Sequence, residues 1–136
     1  MKKFISTNLT IIVLLFSMII LSGCFSLFPK PDLIPVNPQG LAGFCDLDGS
    51  GNLRVYVKNQ GDAPAGSSNA RVSFGQFGEV IKPVPALGVG ETTTVLFPVP
   101  AGCFNPDCGF EITVDVYNDI NESKENNNSQ TGNCLG

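Results

Sequence analysis

The sequence predicts an all-β fold, and three observations carry that expectation. Apolar and polar residues alternate at period two in several short stretches, as half-buried strands require. These stretches are separated by turn-forming residues, drawn from 15 glycines and 10 prolines. After residue 24 nothing sustains a 3.6-residue period. About seven short strands in roughly 100 residues form the pattern of a single immunoglobulin-like β-sandwich. A small closed barrel is the alternative.

The strands follow in order. Asp32-Leu33-Ile34-Pro35-Val36 reads as a first strand at a sheet edge, where proline is tolerated. A turn-rich stretch runs from Asn37 to Gly43. Leu53 to Asn59 then alternates strictly, with Leu53, Val55 and Val57 on one face and Arg54, Tyr56 and Lys58 on the other. Arg71 to Phe74 and Val80 to Val84 flank a glycine-bounded turn, and Pro83 and Pro85 put the second of them at an edge. Thr92 to Val99 is rich in β-branched residues. Phe110 to Val116 predicts Phe110, Ile112, Val114 and Val116 facing in, with Glu111, Thr113 and Asp115 facing out. A polar run from Asn118 to Asn128 leads to a closing strand within Ser129 to Leu135.

The chain opens with Met1-Lys2-Lys3, and from Leu9 to Leu21 only Thr10 and Ser17 interrupt an apolar run. A positive end and a short apolar core are the parts of an export signal. The run is shorter than the roughly 20 residues of a membrane-spanning helix. Leu21-Ser22-Gly23-Cys24 completes a segment that resembles the bacterial lipoprotein signal. That resemblance implies acylation of Cys24, which becomes the mature N-terminus. Each buried CH₂ contributes about 0.8 kcal/mol, and several acyl chains together hold a protein stably. The expected division is a signal peptide over 1–23, a lipidated N-terminus and linker over 24–30, and one domain over 31–136. An uncleaved anchor helix, with Cys24 an ordinary thiol, is the alternative. Either way the domain lies outside the cytoplasm, at the cell membrane and facing the periplasm or exterior.

Without Lys2 and Lys3 the chain carries 6 Lys+Arg against 12 Asp+Glu, a net charge of −6. Nucleic-acid affinity comes from basic side chains that neutralise phosphates, so nucleic acid is not an expected partner. Attachment to the membrane falls to the lipid. Of the 5 cysteines, Cys45, Cys103, Cys108 and Cys134 remain after Cys24. An even number in an oxidising compartment reads as two disulfides, with three connectivities open. Cys103 and Cys108 flank the turn-forming Phe104-Asn105-Pro106-Asp107 and are paired on that ground, leaving Cys45 for Cys134. The rival reading, a zinc site of four thiolates, lacks any CxxC spacing.

The chain has no histidine and no tryptophan. A histidine-based triad or metal site is therefore excluded. Asp115 with Glu122 is a conceivable acid–base pair, but a domain this small without a predicted cleft argues against an enzyme. Asp46-Leu47-Asp48-Gly49-Ser50-Gly51-Asn52-Leu53 follows the start of an EF-hand loop, yet its twelfth position is Val57 rather than glutamate. A tight turn explains the same residues. From Asp107 onward, Asp107, Glu111, Asp115, Asp119, Glu122 and Glu125 face one lysine, Lys124. Oxygen-rich surfaces of this kind suit Ca²⁺, and Asp115, Asp119, Glu122 and Glu125 are the candidate ligands of a structural ion. Turn preference and edge solubility explain the same composition without a metal or other cofactor. Asn121-Glu122-Ser123 and Asn127-Asn128-Ser129 match glycosylation sequons, expected by chance in so asparagine-rich a run.

Several pieces stand in a recognisable order. Pro31-Asp32-Leu33-Ile34 opens the domain, Val57-Lys58-Asn59-Gln60-Gly61 ends the second strand, and Leu87-Gly88-Val89-Gly90-Glu91-Thr92 precedes the fifth. Glu122-Ser123-Lys124-Glu125-Asn126-Asn127-Asn128 follows the sixth. This order resembles the CARDB domain, a cell-adhesion-related module of bacterial and archaeal surface proteins. The match runs from Pro31 to about Ser129 and implies an immunoglobulin-like sandwich. The four cysteines depart from the plainest members. The resemblance names no ligand.

The expected role is therefore a non-catalytic, lipid-anchored envelope protein acting as a protein-binding or adhesion-related module, through exposed loops or by strand addition at an edge. A structural or assembly subunit of a larger envelope complex is the second reading. A small-ligand or carbohydrate receptor is the third, disfavoured because Tyr56, Tyr117 and phenylalanines are the only aromatics.

Overall fold

The computed structural model describes residues 28–37 and 40–136. Seven strands form two antiparallel sheets: β1 (Leu33–Val36), β2 (Asn52–Asn59), β3 (Ser68–Ser73), β4 (Glu79–Val84), β5 (Thr92–Pro98), β6 (Cys108–Thr113) and β7 (Ser129–Cys134). One sheet has the order β1-β2-β5 and the other β4-β3-β6-β7. The architecture is a sandwich with open edges, so the barrel alternative falls away. β1 and β4 both lie at edges, where their prolines place them.

Period-two alternation sets the core. Leu53, Val55 and Val57 of β2 point inward beside Phe97 of β5, and meet Ala70, Val72, Phe110 and Ile112 of the other sheet. The rings of Phe74 and Phe110 lie 6.3 Å apart and are tilted by 55°. Each such side chain contributes about 1.5–3 kcal/mol when fully buried.

Two elements differ from the sequence expectation. β3 begins at Ser68, three residues before the predicted start at Arg71. β6 ends at Thr113, because Asp115 adopts a left-handed φ of 47° that ends the extended run. Asp115 is consequently buried, not turned outward as the alternation predicted. Its carboxylate accepts the N–H groups of Asp119 (3.0 Å) and Ile120 (2.9 Å).

The register gives the sandwich two distinguishable poles. Leu33 pairs with Asn59, and Thr113 with Ser129, so the chain enters the domain at the pole holding residues 59–66, 86–91 and 114–128. At the far pole lie the start of β2, the end of β5, the 99–107 loop and the C-terminus. There Cys45 is bridged to Cys134, and Cys103 to Cys108. The 3₁₀ turn Ala42–Phe44 packs against β7 so closely that a Cβ on Gly43 (φ 63°) would collide with the carbonyl of Asn133.

Candidate functional site

The pole where the chain enters is polar and internally cross-linked. Asn59 ends β2 and is fully buried at 0% exposure. Its Nδ2 donates to the carbonyls of Ala63 (2.8 Å), Leu87 (3.2 Å) and Gly88 (3.2 Å). Its Oδ1 accepts the N–H groups of Asp32 (3.1 Å) and Gly61 (3.0 Å). One amide thus ties the first strand, the turn after β2 and the loop before β5. Gly61 stands where any Cβ would strike the backbone of Lys30, Pro31 and Asp32. Glu91 closes the neighbouring turn by accepting the N–H of Gly88 at 2.6 Å.

Glu122 is the centre of the second knot and is 3% exposed. Its Oε2 accepts the backbone N–H of Leu33, and its Oε1 accepts Asn128 Nδ2 at 2.7 Å. Burial, followed by the negative charges of Asp115 and Glu125, pushes its carboxyl up to about 7 against the two stabilising donors. Glu125 in turn accepts the N–H of Glu122 (2.8 Å). Asp32, also buried, accepts Asn127 Nδ2 (2.9 Å) and Gln60 Nε2 (2.9 Å).

The four calcium candidates are therefore distributed as follows. Asp115 and Glu122 are buried and already hold N–H donors, Glu125 caps Glu122, and Asp119 is exposed. The expected acidic surface is not one surface, since Asp107 lies at the far pole and Glu111 within β6. Among the described residues no group of three or more His, Cys, Asp or Glu side chains is arranged to hold a metal. The EF-hand-like segment is a turn: Asp48 Oδ1 accepts the N–H groups of Ser50 and Asn52, and the side-chain bond from Asn52 Nδ2 (3.0 Å), followed by the backbone bond from Asn52, holds its carboxyl below the usual range. Asp46 is bound to Arg54 (2.8 Å) and to the hydroxyl of Tyr56 (2.5 Å), which raises the Tyr56 pKa. Of the two sequons, Asn121 is exposed and accepts Lys30 Nζ (2.6 Å), while Asn127 is committed to Asp32. Cys24 and the signal segment 1–23 lie outside the described residues.

The entry pole exposes Val89 and Tyr117, whereas the far pole gathers a larger set of apolar side chains around a groove. Leu41, Leu47, Phe77, Phe104 and Leu135 are all exposed there, Leu135 at 76%. Leu41, Ala42, Gly43, Cys45, Asn133 and Leu135 line an open groove of about 380 Å³. The carboxylates at this end are engaged: Asp46 with Arg54, Asp48 with Asn52, and Asp107 with the N–H of Gly136. The sequence reading missed this patch because its members are scattered between positions 41 and 135. No local pattern marks them; only the strand connections bring them to one end.

Comparison with known proteins adds the following. The CARDB family model matches residues 30–132. No curated protein matches the sequence. A domain from a Methanosarcina acetivorans protein described as a cell surface protein has a similar fold, with a TM-score of 0.63 at 23% identity, covering 78% of this chain and 91% of that one. The CARDB domain of a Pyrococcus furiosus protein, solved in complex with di-metal ions, gives a TM-score of 0.56 at 27% identity, covering 81% and 96%.

Proposed function

This chain belongs to the CARDB family, and on that premise we propose that it is a non-catalytic protein-binding module, held at the outer side of a membrane by a lipid on Cys24. The observation that carries the reading is the contrast between its poles. The chain enters through a polar, hydrogen-bonded end, and the exposed apolar side chains Leu41, Phe104 and Leu135 gather at the other. A tether at the first end presents the second to whatever lies beyond the membrane. Exposed apolar patches rimmed by polar groups are typical of protein-binding surfaces.

The absence of histidine and the occupied carboxylates of Asp115 and Glu122 support a non-catalytic role. The metal ions of the Pyrococcus furiosus relative form no part of the proposal, because the buried acids here are satisfied by N–H donors. A carbohydrate site is disfavoured: the hydroxyl of Tyr56 is held by Asp46, and the sequence has no tryptophan.

Two measurements test the reading. Cells fed labelled fatty acid should label the wild type and not Cys24→Ala, which should leave the membrane fraction. Leu41→Asp with Leu135→Asp should remove saturable binding to an envelope protein without lowering Tm. An unlabelled wild type contradicts the tether, and undiminished binding contradicts the far-pole site.

A further inference from the structure

Every open sheet exposes unpaired N–H and C=O groups at its edges, and folded proteins blunt them. This sandwich has four edges, β1, β5, β4 and β7, and three are blunted. In β1, Ile34 and Val36 direct their backbone groups toward β2, so the backbone groups of Leu33 and Pro35 point to the open edge while their side chains stay buried. The N–H of Leu33 is taken by Glu122, and Pro35 has none. β7 is overlaid by the Ala42–Phe44 turn, strapped down through Cys45–Cys134. β4 carries Pro83 and the charged Glu79, and turns Lys82 toward the sandwich interior on the same face as Val80 and Val84.

β5 has none of these devices. The N–H groups of Arg54 and Gln60 bond to Asp46 and Asp32 on the β1 side, and that of Asn59 to Glu91 on the β5 side. The alternation fixes Leu53, Val55 and Val57 as the residues bonded to Phe97, Val95 and Thr93. Thr92, Thr94 and Leu96 therefore direct their N–H and C=O groups away from the sheet. All three are exposed, Leu96 at 46%, and among the described residues none of these N–H groups has a partner. The strand Thr92-Thr93-Thr94-Val95-Leu96-Phe97-Pro98 holds no charge, and its proline comes only at the end.

We infer that β5 is a pairing strand, and that its occupant is β5 of a second copy, added antiparallel about Thr94. The strand is its own complement in this register. Thr94 meets Thr94, Thr92 meets Leu96, and Thr93 meets Val95, so uncharged groups, β-branched except for Leu96, face one another. Glu91 falls opposite Phe97, which keeps like charges apart in a chain whose mature part carries −6. The two three-stranded sheets then form one continuous sheet. Antiparallel pairing sends the entry poles of the two copies to opposite ends. Given the Cys24 tether, on which this last step rests, the copies meet from facing surfaces.

The test uses the full-length protein in mild non-ionic detergent, read by sedimentation. The wild type should dimerise with concentration. Thr94→Lys and Thr94→Glu should each weaken dimerisation about tenfold through like charges at the axis, and an equal mixture should restore it. Thr92→Lys combined with Leu96→Glu in one chain should tighten an antiparallel pair and weaken a parallel one. Unchanged Tm in each variant shows that the fold, including β2–β5 pairing, is intact. A wild type monomeric at every concentration, or a Thr94→Lys dimer as tight as the wild type, would overturn the inference. Dimers without labelled fatty acid would sink the tether alone, whereas labelled monomers would sink β5 pairing alone.

Discussion

The carboxylate of Glu122 accepts the backbone N–H of Leu33 across 89 residues of sequence and thereby closes the outer side of β1. One buried acid serves as an edge cap, a loop anchor through Asn128, and a titrating group raised to about 7.

That shift fixes a pH dependence. The folded carboxyl binds its proton more tightly than an unfolded one, whose ordinary value is 4.5. Its contribution to stability is thus fully present below that value and is lost as pH rises through about 7. Urea melts should show stability rising between pH 8 and pH 5 by on the order of 1–3 kcal/mol from this group. Glu122→Gln should flatten that slope while keeping the fold, since turning over the Asn128 amide brings its buried Oδ1, unpartnered among the described residues, to accept the new N–H. An identical slope in the variant would refute the assignment.

Asn59 gives a large single-residue effect at the entry pole. Asn59→Asp replaces a donor to three carbonyls by an acceptor and should cost more than about 3 kcal/mol. Asn59→Ala should cost somewhat less, because it leaves those carbonyls unpaired without adding repulsion. Chemical denaturation of both variants reads the difference directly.

The entry segment depends on Gly61. Gly61→Ala drives a methyl into the Lys30–Asp32 backbone, so amide exchange at residues 32–36 should rise along with a loss of about 2 kcal/mol or more. Protection unchanged in β1 would show that the segment shifts without strain.

The two disulfides should differ. Cys45–Cys134 closes a separation of 89 residues and Cys103–Cys108 one of 5. Constraint of the unfolded chain scales with loop length, giving about 4–5 kcal/mol for the first and about 2 for the second. Replacing each pair by alanines and comparing melts tests this, and equal losses would contradict the loop-length account.

Much of this was legible in the sequence wherever a local period carries the information. Leu53, Val55 and Val57 alternate because one face of β2 is core and the other solvent, and the structure buries them accordingly. Asp115 shows where that logic fails. Its position in the alternation pointed outward, but the chain needed a buried acceptor for two loop N–H groups, and a left-handed residue supplied it. The motifs at Asn59, Gly61 and Glu122 could be seen as motifs, while their work of joining distant segments could not. The far-pole patch and the open edge of β5 were invisible for the same reason: both depend on which strands become neighbours.

The central claim is that the pole remote from the tether takes the partner. The most direct measurement places a photo-crosslinking residue at Leu41, Phe104 or Leu135, and at Val89 or Tyr117 as controls, in the full-length protein on intact cells. The account predicts one discrete envelope protein captured from the first three positions and none from the two controls. Capture from Val89 or Tyr117, with nothing from the far pole, would contradict it.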